Sequence, residues 1–300
     1  MAQQLRTIKR RIGSVKSTQK ITRAMELIAS SRIIKAQQRV EAARPYAEEL
    51  RRLMGSVAAT AGRVDHPLLR DRERVENVGM VVITSDRGLA GAYNSNVIRA
   101  AERDMRKRDV NVKPFLVGKK AISYFRFRGY EFADSWQGIS DRPTIEDARR
   151  VARSVTERFA EEEVDEVRLA YTRYESALTQ RPTIVQLLPL PQEELEEIAE
   201  EREREGPRPQ YEFEPEPEEI LGLLVPRYVE GTILQGLLES AASEHAARRR
   251  AMKAATDNAE ELIEDLTRTF NQARQAEITT EIMEVVGGAE ALAAAAKRQE

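Results

Sequence analysis

Residues 232–270, TILQGLLESAASEHAARRRAMKAATDNAEELIEDLTRTF, run without proline, and Leu234, Leu238, Ala241, His245, Arg248, Met252, Ala255, Ala259, Leu262 and Leu266 recur at alternating intervals of four and three. That alternation holds one stripe on one face of an α-helix, the seam of a coiled coil. Phe270 follows Leu266 at a second interval of four, which predicts a phase slip at that point. Working outward, the helical pattern begins near Glu218, passes Pro226 early and continues to Val286. A globular helix averages about 11–12 residues, so a helix of this length needs a partner along much of it.

The only comparable segment lies at the other end of the chain, from about Ala2 to Ala59. Leu5, Ile8, Ile12 and Val15 open a seam with intervals of three, four and three. Gln19 and Lys20 interrupt it, and the bulky residues resume in a shifted phase at Ile21, Met25 and Ile28, with Ile33 and Ile34 beyond. The expectation is a second phase slip here, and a kink or short break near Arg44 where Pro45 removes a backbone donor. At ~1.5 Å per residue each helix spans on the order of 80–100 Å, more than a domain folded between them. Entering and leaving the same central domain, the two are expected to pair antiparallel.

Between them the pattern changes. Residues 62–77, GRVDHPLLRDRERVEN, have the composition of a linker. Val78 to Thr84 is an apolar, β-branched run that suits a strand buried on both faces. After the turn SDRGLAGAYN come a helix from about Ser95 to Arg108, a strand from Lys113 to Val117, and a helix from Lys119 to Phe127. A helix from Thr144 to Glu163 and strands at Glu166–Tyr171 and Thr183–Leu188 follow. Thr144 with Glu146 and Asp147 behind it marks a helix start. Alternating strands and helices predict an α/β domain with a mostly parallel, Rossmann-like sheet, inserted between two very long helices that form an antiparallel coiled coil. The implied divisions are a coiled-coil helix at 1–60, a linker at 61–77, the α/β domain at 78–191, an acidic linker at 192–217 and the last helix with its tail at 218–300. The acidic stretch is proline-broken and low in complexity, and YEFE at Tyr211–Glu214 reads as a candidate edge strand.

Composition narrows the chemistry. In 300 residues there is no cysteine, which excludes disulfides and thiol chemistry, and 33% are charged while 5% are aromatic. Mean hydropathy is −0.54, and no run approaches the length of a membrane span. The net charge of −2 hides a basic N-terminal segment and an acidic one at 192–219, which suits docking to charged partners. Basic residues are spread around the first helix without stacking aromatics, so nucleic acid is not the expected partner. The turn GLAGAYN lacks the spacing of a dinucleotide fingerprint and has no G-K-[ST]. Asp86 and Glu102 form no defensible carboxylate pair, His66 lies in the linker, and His245 on the seam reads as a packing or interhelical contact rather than a metal ligand. No catalytic site, metal site or cofactor is expected. The competing reading is an α/β nucleotide-binding enzyme with a helical dimerisation stalk.

Three stretches carry a resemblance: IKRRIGSVKSTQKITRAMELIASSRI at 8–33, TSDRGLAGAYN at 84–94, and SEHAARRRAMKAATDNAEELIEDL at 243–266 continuing to ARQAEITTEIMEVVGGAEAL at 273–292. Together they resemble the γ subunits of bacterial rotary (F-type) ATP synthases. The last stretch fits that family's pattern [IV]-T-x-E-x-x-[DE]-x-x-x-G-A-x-[SAKR] through Ile278, Thr279, Glu281, Glu284, Gly288, Ala289 and Ala291. The acidic stretch at 192–209 has no counterpart in the pattern, and a cysteine-bearing regulatory insert of the chloroplast type is absent from the sequence. The resemblance implies a central rotor shaft, turned by an ion-driven c-ring and acting inside a ring of α and β subunits, with the ε subunit bound to it. Catalysis would belong to β. The chain would be neither a homo-oligomer nor a membrane-spanning protein, and would sit peripherally on the cytoplasmic face of the bacterial plasma membrane. It further implies β-subunit contacts at Lys20, Met25, Arg274 and Gln275, helix-pair and head contacts at Thr279, Glu281 and Glu284, and a c-ring-facing region at Tyr211 and Glu214.

Overall fold

The computed structural model describes residues 2–61, 66–70, 72, 74–190, 214 and 216–296. In chain order the elements are α1 (Ala2–Ala61), β1 (Asn77–Ile83), α2 (Tyr93–Lys107), β2 (Asn111–Val117), α3 (Lys119–Phe127), β3 (Asp134–Trp136), α4 (Ile145–Ala160), β4 (Glu166–Tyr174), β5 (Gln180–Leu188) and α5 (Pro217–Ala296). They form two compact units, Met1–Ile28 with Arg250–Glu300, and Ala29–Arg249. The candidate strand at Tyr211–Glu214 lies outside the described residues apart from Glu214, as does nearly all of the acidic stretch.

The larger unit is an α/β head. Its sheet runs β3-β2-β1-β4-β5, with β1, β2, β3 and β4 parallel and β5 returning antiparallel along β4. The unbroken apolar run of β1 follows from burial on both sides, because alternate side chains enter two cores. Val81 and Ile83 face one core, closed by α4 and by Leu221, Val225, Val229, Ile233 and Leu237 of α5. Met80 and Val82 face the other, closed by α2 and α3. Those five α5 residues stand four apart, a single ridge that lies along the sheet rather than a coiled-coil seam. Met54 and Val57, at the end of α1, enter the same core. So do Leu68 and Leu69, from the stretch expected to be a linker, and the Leu190 amide donates to the Leu68 carbonyl.

Local chemistry explains most boundaries. Thr144 caps α4 in a full capping box with Asp147. Gly118, at φ +92, opens α3 where a Cβ would stand 2.3 Å from the Thr84 carbonyl oxygen, so only glycine fits. β3, three residues at the sheet edge, is too short to show any periodicity and was not expected. Pro45 does not break α1: it sits on the exposed face, where the lost backbone bond is left to solvent, and Leu50 and Met54 are buried in the turns that follow.

The expected seam breaks are both corrected. In α1 the stripe continues in its first phase, through Gln19, Thr22, Glu26, Ala29, Ile33 and Ala36, each buried or half-buried at intervals of three and four. Thr22 is 8% exposed and Ala29 1%, whereas Ile21 and Ile28 are 58% and 54% exposed. Small and hydroxyl side chains hold the seam because Thr22 meets Thr256 of α5 at 2.8 Å, Oγ1 to Oγ1, in a buried pair. In α5 the slip lies earlier than Phe270. Arg248, Met252 and Thr256 are buried at two successive intervals of four, and Ala259, Ile263, Leu266, Phe270 and Ala273 then keep a regular alternation. Leu262, assigned to the seam by the sequence pattern, is 40% exposed.

The two helices run antiparallel: α1 meets α5 at Thr22 with Thr256, and nearer the head the Leu50 side chain lies beside Gly231. Carrying the Thr22–Thr256 register outward sets Leu5 opposite Ala273, both half-buried. Beyond Thr280 the described side chains of α5 are all exposed, and in the same register they lie past Ala2, the first described residue of α1.

A pair of substitutions distinguishes the two seam phases. Ile28→Gln is expected to leave the chain within about 0.5 kcal/mol of wild-type stability, as an exposed substitution does, and Ala29→Met to cost about 1–3 kcal/mol by overpacking. Denaturant unfolding of both variants reads the difference.

Candidate functional site

In an open α/β sheet, ligands bind outside the carboxyl ends of the strands where the strand order reverses. Here the reversal lies between β1 and β4, and the crevice is taken by the chain itself. Ser240 of α5 accepts the Thr172 amide at 3.3 Å, Ser243 donates to the Thr172 carbonyl at 3.1 Å, and Glu239 accepts the Tyr174 amide at 3.2 Å. The end of β4 thus spends its backbone groups on α5. On the β1 side, the turn after Thr84 turns through positive φ at Leu89 and Gly91. Arg248 of α5 reaches it and donates to the Gly88 carbonyl from Nε at 3.4 Å and Nη2 at 3.2 Å.

Asp86 organises the neighbouring loops. Its carboxylate accepts the Lys119 amide at 3.1 Å, the Gly138 amide at 2.9 Å and the Ser140 hydroxyl at 3.1 Å, while its own amide donates to Ser140 Oγ at 3.0 Å. Next to Ser140, Asp141 takes both oxygens' worth of Arg32 from α1, at 2.6 and 2.9 Å, and lies 3.5 Å from His245 Nε2 of α5. His245 therefore contacts a head loop rather than serving the helix seam.

Burial sets the protonation of this cluster. Glu244 is 1% exposed and Arg248 7%, and they pair at 2.6 Å. Burial pushes the Glu244 carboxyl up to about 7 despite the opposing pull of Arg248, with Asp141 and Asp86 adding to the rise. Burial likewise pushes His245 down to about 4 against the attraction of Asp141, so it is neutral at pH 7. Buried Tyr93 is raised by burial and by Glu244. Glu244 Oε2 and His245 Nδ1 have no hydrogen-bond partner among the described residues. Glu102, the other carboxylate singled out in the sequence, instead joins α2 to α3 by accepting Arg106, Arg128 and the Tyr124 hydroxyl. Among the described residues no group of three or more acidic or histidine side chains could hold a metal ion, and no helix is long and apolar enough to cross a membrane.

None of the residues named through the resemblance belongs to this cluster. Lys20 is exposed and Met25 half-buried on α1, and Arg274 and Gln275 are exposed on α5. Thr279, Glu281 and Glu284 are exposed too, past the start of α1, and the Thr279 hydroxyl donates to the Gln275 carbonyl of its own helix at 2.9 Å. Glu214 is exposed before α5, and Tyr211 lies outside the described residues.

The family model described as ATP synthase matches residues 4–292. The ATP synthase gamma chain of Thermobifida fusca (strain YX) is 50% identical over 307 residues and covers all of both chains. The chain belongs to the ATP synthase gamma-chain family. The gamma chain of Acidothermus cellulolyticus is 51% identical over 301 residues, covering 98% of this chain and 99% of that one. Among solved structures, a chain of the Tetrahymena thermophila mitochondrial ATP synthase central stalk and c-ring aligns with a TM-score of 0.59 and 26% identity, over 78% of this chain and 99% of that chain. A rotor chain of the Euglena gracilis mitochondrial enzyme shares the fold at a TM-score of 0.66 and 18% identity, over 93% of this chain and all of that one. The gamma-chain fold is thus the α/β head and the two long terminal helices described above.

Sequence reasoning missed Arg32, Asp141 and Glu244. The sequence does hold one usable signal, the run Ser243-Glu244-His245 with Arg248 on a stripe otherwise apolar or small, since charged side chains on a buried face need partners.

The two displaced titrations act in opposite directions with pH. Glu244 has its folded value raised from 4.5 to about 7, so the stability it contributes is complete below 4.5 and is lost as pH rises through 7. His245 is lowered from 6.5 to about 4, so its contribution is present above 6.5 and lost as pH falls through 4. Glu244→Gln removes only the first. Its stability relative to wild type is expected to rise by about 1–3 kcal/mol between pH 4.5 and 7 and to level off above, read by urea unfolding across that range.

Proposed function

We propose that this chain is the central rotor shaft of a bacterial ATP synthase, a subunit without a catalytic site of its own. It transmits torque between an ion-driven c-ring and the catalytic α and β subunits, so that the nucleotide sites of β cycle in turn. The observation that carries this reading is the occupied strand-end crevice: the place where an α/β sheet takes a ligand is filled by Ser240, Ser243 and Arg248 of the long helix, which makes the head a mount for that helix. The relatives' names support it, and the same feature speaks against a nucleotide-binding enzyme with a dimerisation stalk.

In this reading α and β surround the antiparallel pair, and ε and the c-ring meet the head. Lys20, Met25, Arg274 and Gln275 contact β, the basic side chains facing acidic loops. Tyr211 and Glu214 face the c-ring. The complex places the chain peripherally at the cytoplasmic face of the plasma membrane.

Isolation from native membranes through a tag on this chain tests the reading. The expected result is co-purification with α, β, ε and c subunits, identified by mass, in a complex that hydrolyses ATP. Recovery as an isolated homodimer with bound nucleotide would overturn it. In that complex the double charge reversal Lys20→Glu, Arg274→Glu is expected to lower ATP hydrolysis about tenfold or more, since each introduces like-charge repulsion against acidic loops.

A further inference from the structure

The loop between β3 and α4 is fixed to the strand ends by Asp86, which accepts from the Gly138 amide and the Ser140 hydroxyl. Asp141 follows on the same loop and faces both long helices. Arg32 Nη1 of α1 donates to both of its carboxylate oxygens, at 2.6 Å to Oδ1 and 2.9 Å to Oδ2, and His245 Nε2 of α5 stands 3.5 Å from Oδ1. The side chains of Arg32 and Asp141 are 35% and 32% exposed, so the pair is half-buried. A charge-assisted hydrogen bond is short and roughly twice as strong as a neutral one, so it holds the Arg32 head close to the loop.

Its position gives the tie leverage. Met54 and Val57 of α1 enter the sheet core, and Leu50 is buried about one turn before them. Arg32 lies about 27 Å from Leu50 along the helix axis at 1.5 Å per residue. Between the two, Gln37 of α1 also donates to the Tyr174 hydroxyl of β4. Arg32 adds a tie further along, and a tie resists pivoting in proportion to the square of its distance from the seat. His245 stands likewise beyond Leu237, the last of the α5 ridge residues in the sheet core.

We propose that Asp141 is a positioning residue for torque transfer, the point at which the head grips both long helices against rotation relative to itself. The inference rests on the rotor reading above. Asp141 touches no substrate; its role is stiffness. Three features support it together: the carboxylate is shared by two helices, the loop that carries it is immobilised by Asp86, and the tie is remote from the apolar seat.

The test uses the assembled α, β and γ complex, fixed through β, with a gold particle attached to the head and its angle followed during ATP-driven rotation. Asp141→Ala is expected to leave the dwell times unchanged and to roughly double the angular variance within each dwell, because the charge-assisted tie is lost. Asp141→Glu is expected to restore the wild-type variance, and Arg32→Gln to reproduce the loss, which also decides the matter if Asp141→Ala does not assemble. Wild-type variance in both Asp141→Ala and Arg32→Gln would overturn the proposal. A wild-type complex that hydrolyses ATP without turning the particle would overturn the rotor reading instead.

Discussion

The burial of one face of α5 in the head is the interaction on which the remaining structure depends. Leu221, Val225, Val229, Ile233 and Leu237 are each 0–1% exposed against the sheet and α4. At about 1.5–3 kcal/mol for each fully buried aliphatic side chain, that ridge outweighs any single ion pair nearby. It also changes what the helix is. The same helix is a core element over one part of its length and half of a two-helix seam over another, and the intervals between its buried residues change accordingly, from four throughout to four and three.

Once α5 occupies the sheet, the fate of the strand-end crevice follows. Backbone groups at the ends of parallel strands point out of the sheet and must find partners. In ligand-binding relatives of this architecture a phosphate or ribose meets them. Here Ser240, Ser243, Glu239 and Arg248 do. The polar cluster fastens α5 at the place where such a fold takes a ligand, which accounts for charged residues such as Glu244 and Arg248 on a buried helix face.

Much of the architecture was legible in the sequence because two periodicities seldom conflict. The four-and-three alternation marked the long helices, the β-branched run at Val78–Thr84 marked the central strand, and Thr144 with Asp147 marked the start of α4. The seam phase of α1 was not legible, since bulk and burial part company there: Ile21 and Ile28 look like core, yet Thr22 and Ala29 are the buried residues. Close helix approach favours small side chains, and a hydroxyl is tolerated only because Thr256 pairs with Thr22. The site was less legible still. Arg32 and Asp141 are 109 residues apart, and nothing local to either signals the other. Lys20 and Arg274 are exposed, but only the family resemblance singled them out, and nothing local to either signals a partner.

The overrun of α5 past the start of α1 has a mechanical consequence. Two helices bonded along a seam bend together as a thick beam, while a lone helix bends as a thin one. The unit built from Met1–Ile28 and Arg250–Glu300 is thus graded within itself, doubled where Thr22 meets Thr256 and single beyond Thr280. Bending within that unit is therefore easier along the single stretch of α5 than along the doubled one.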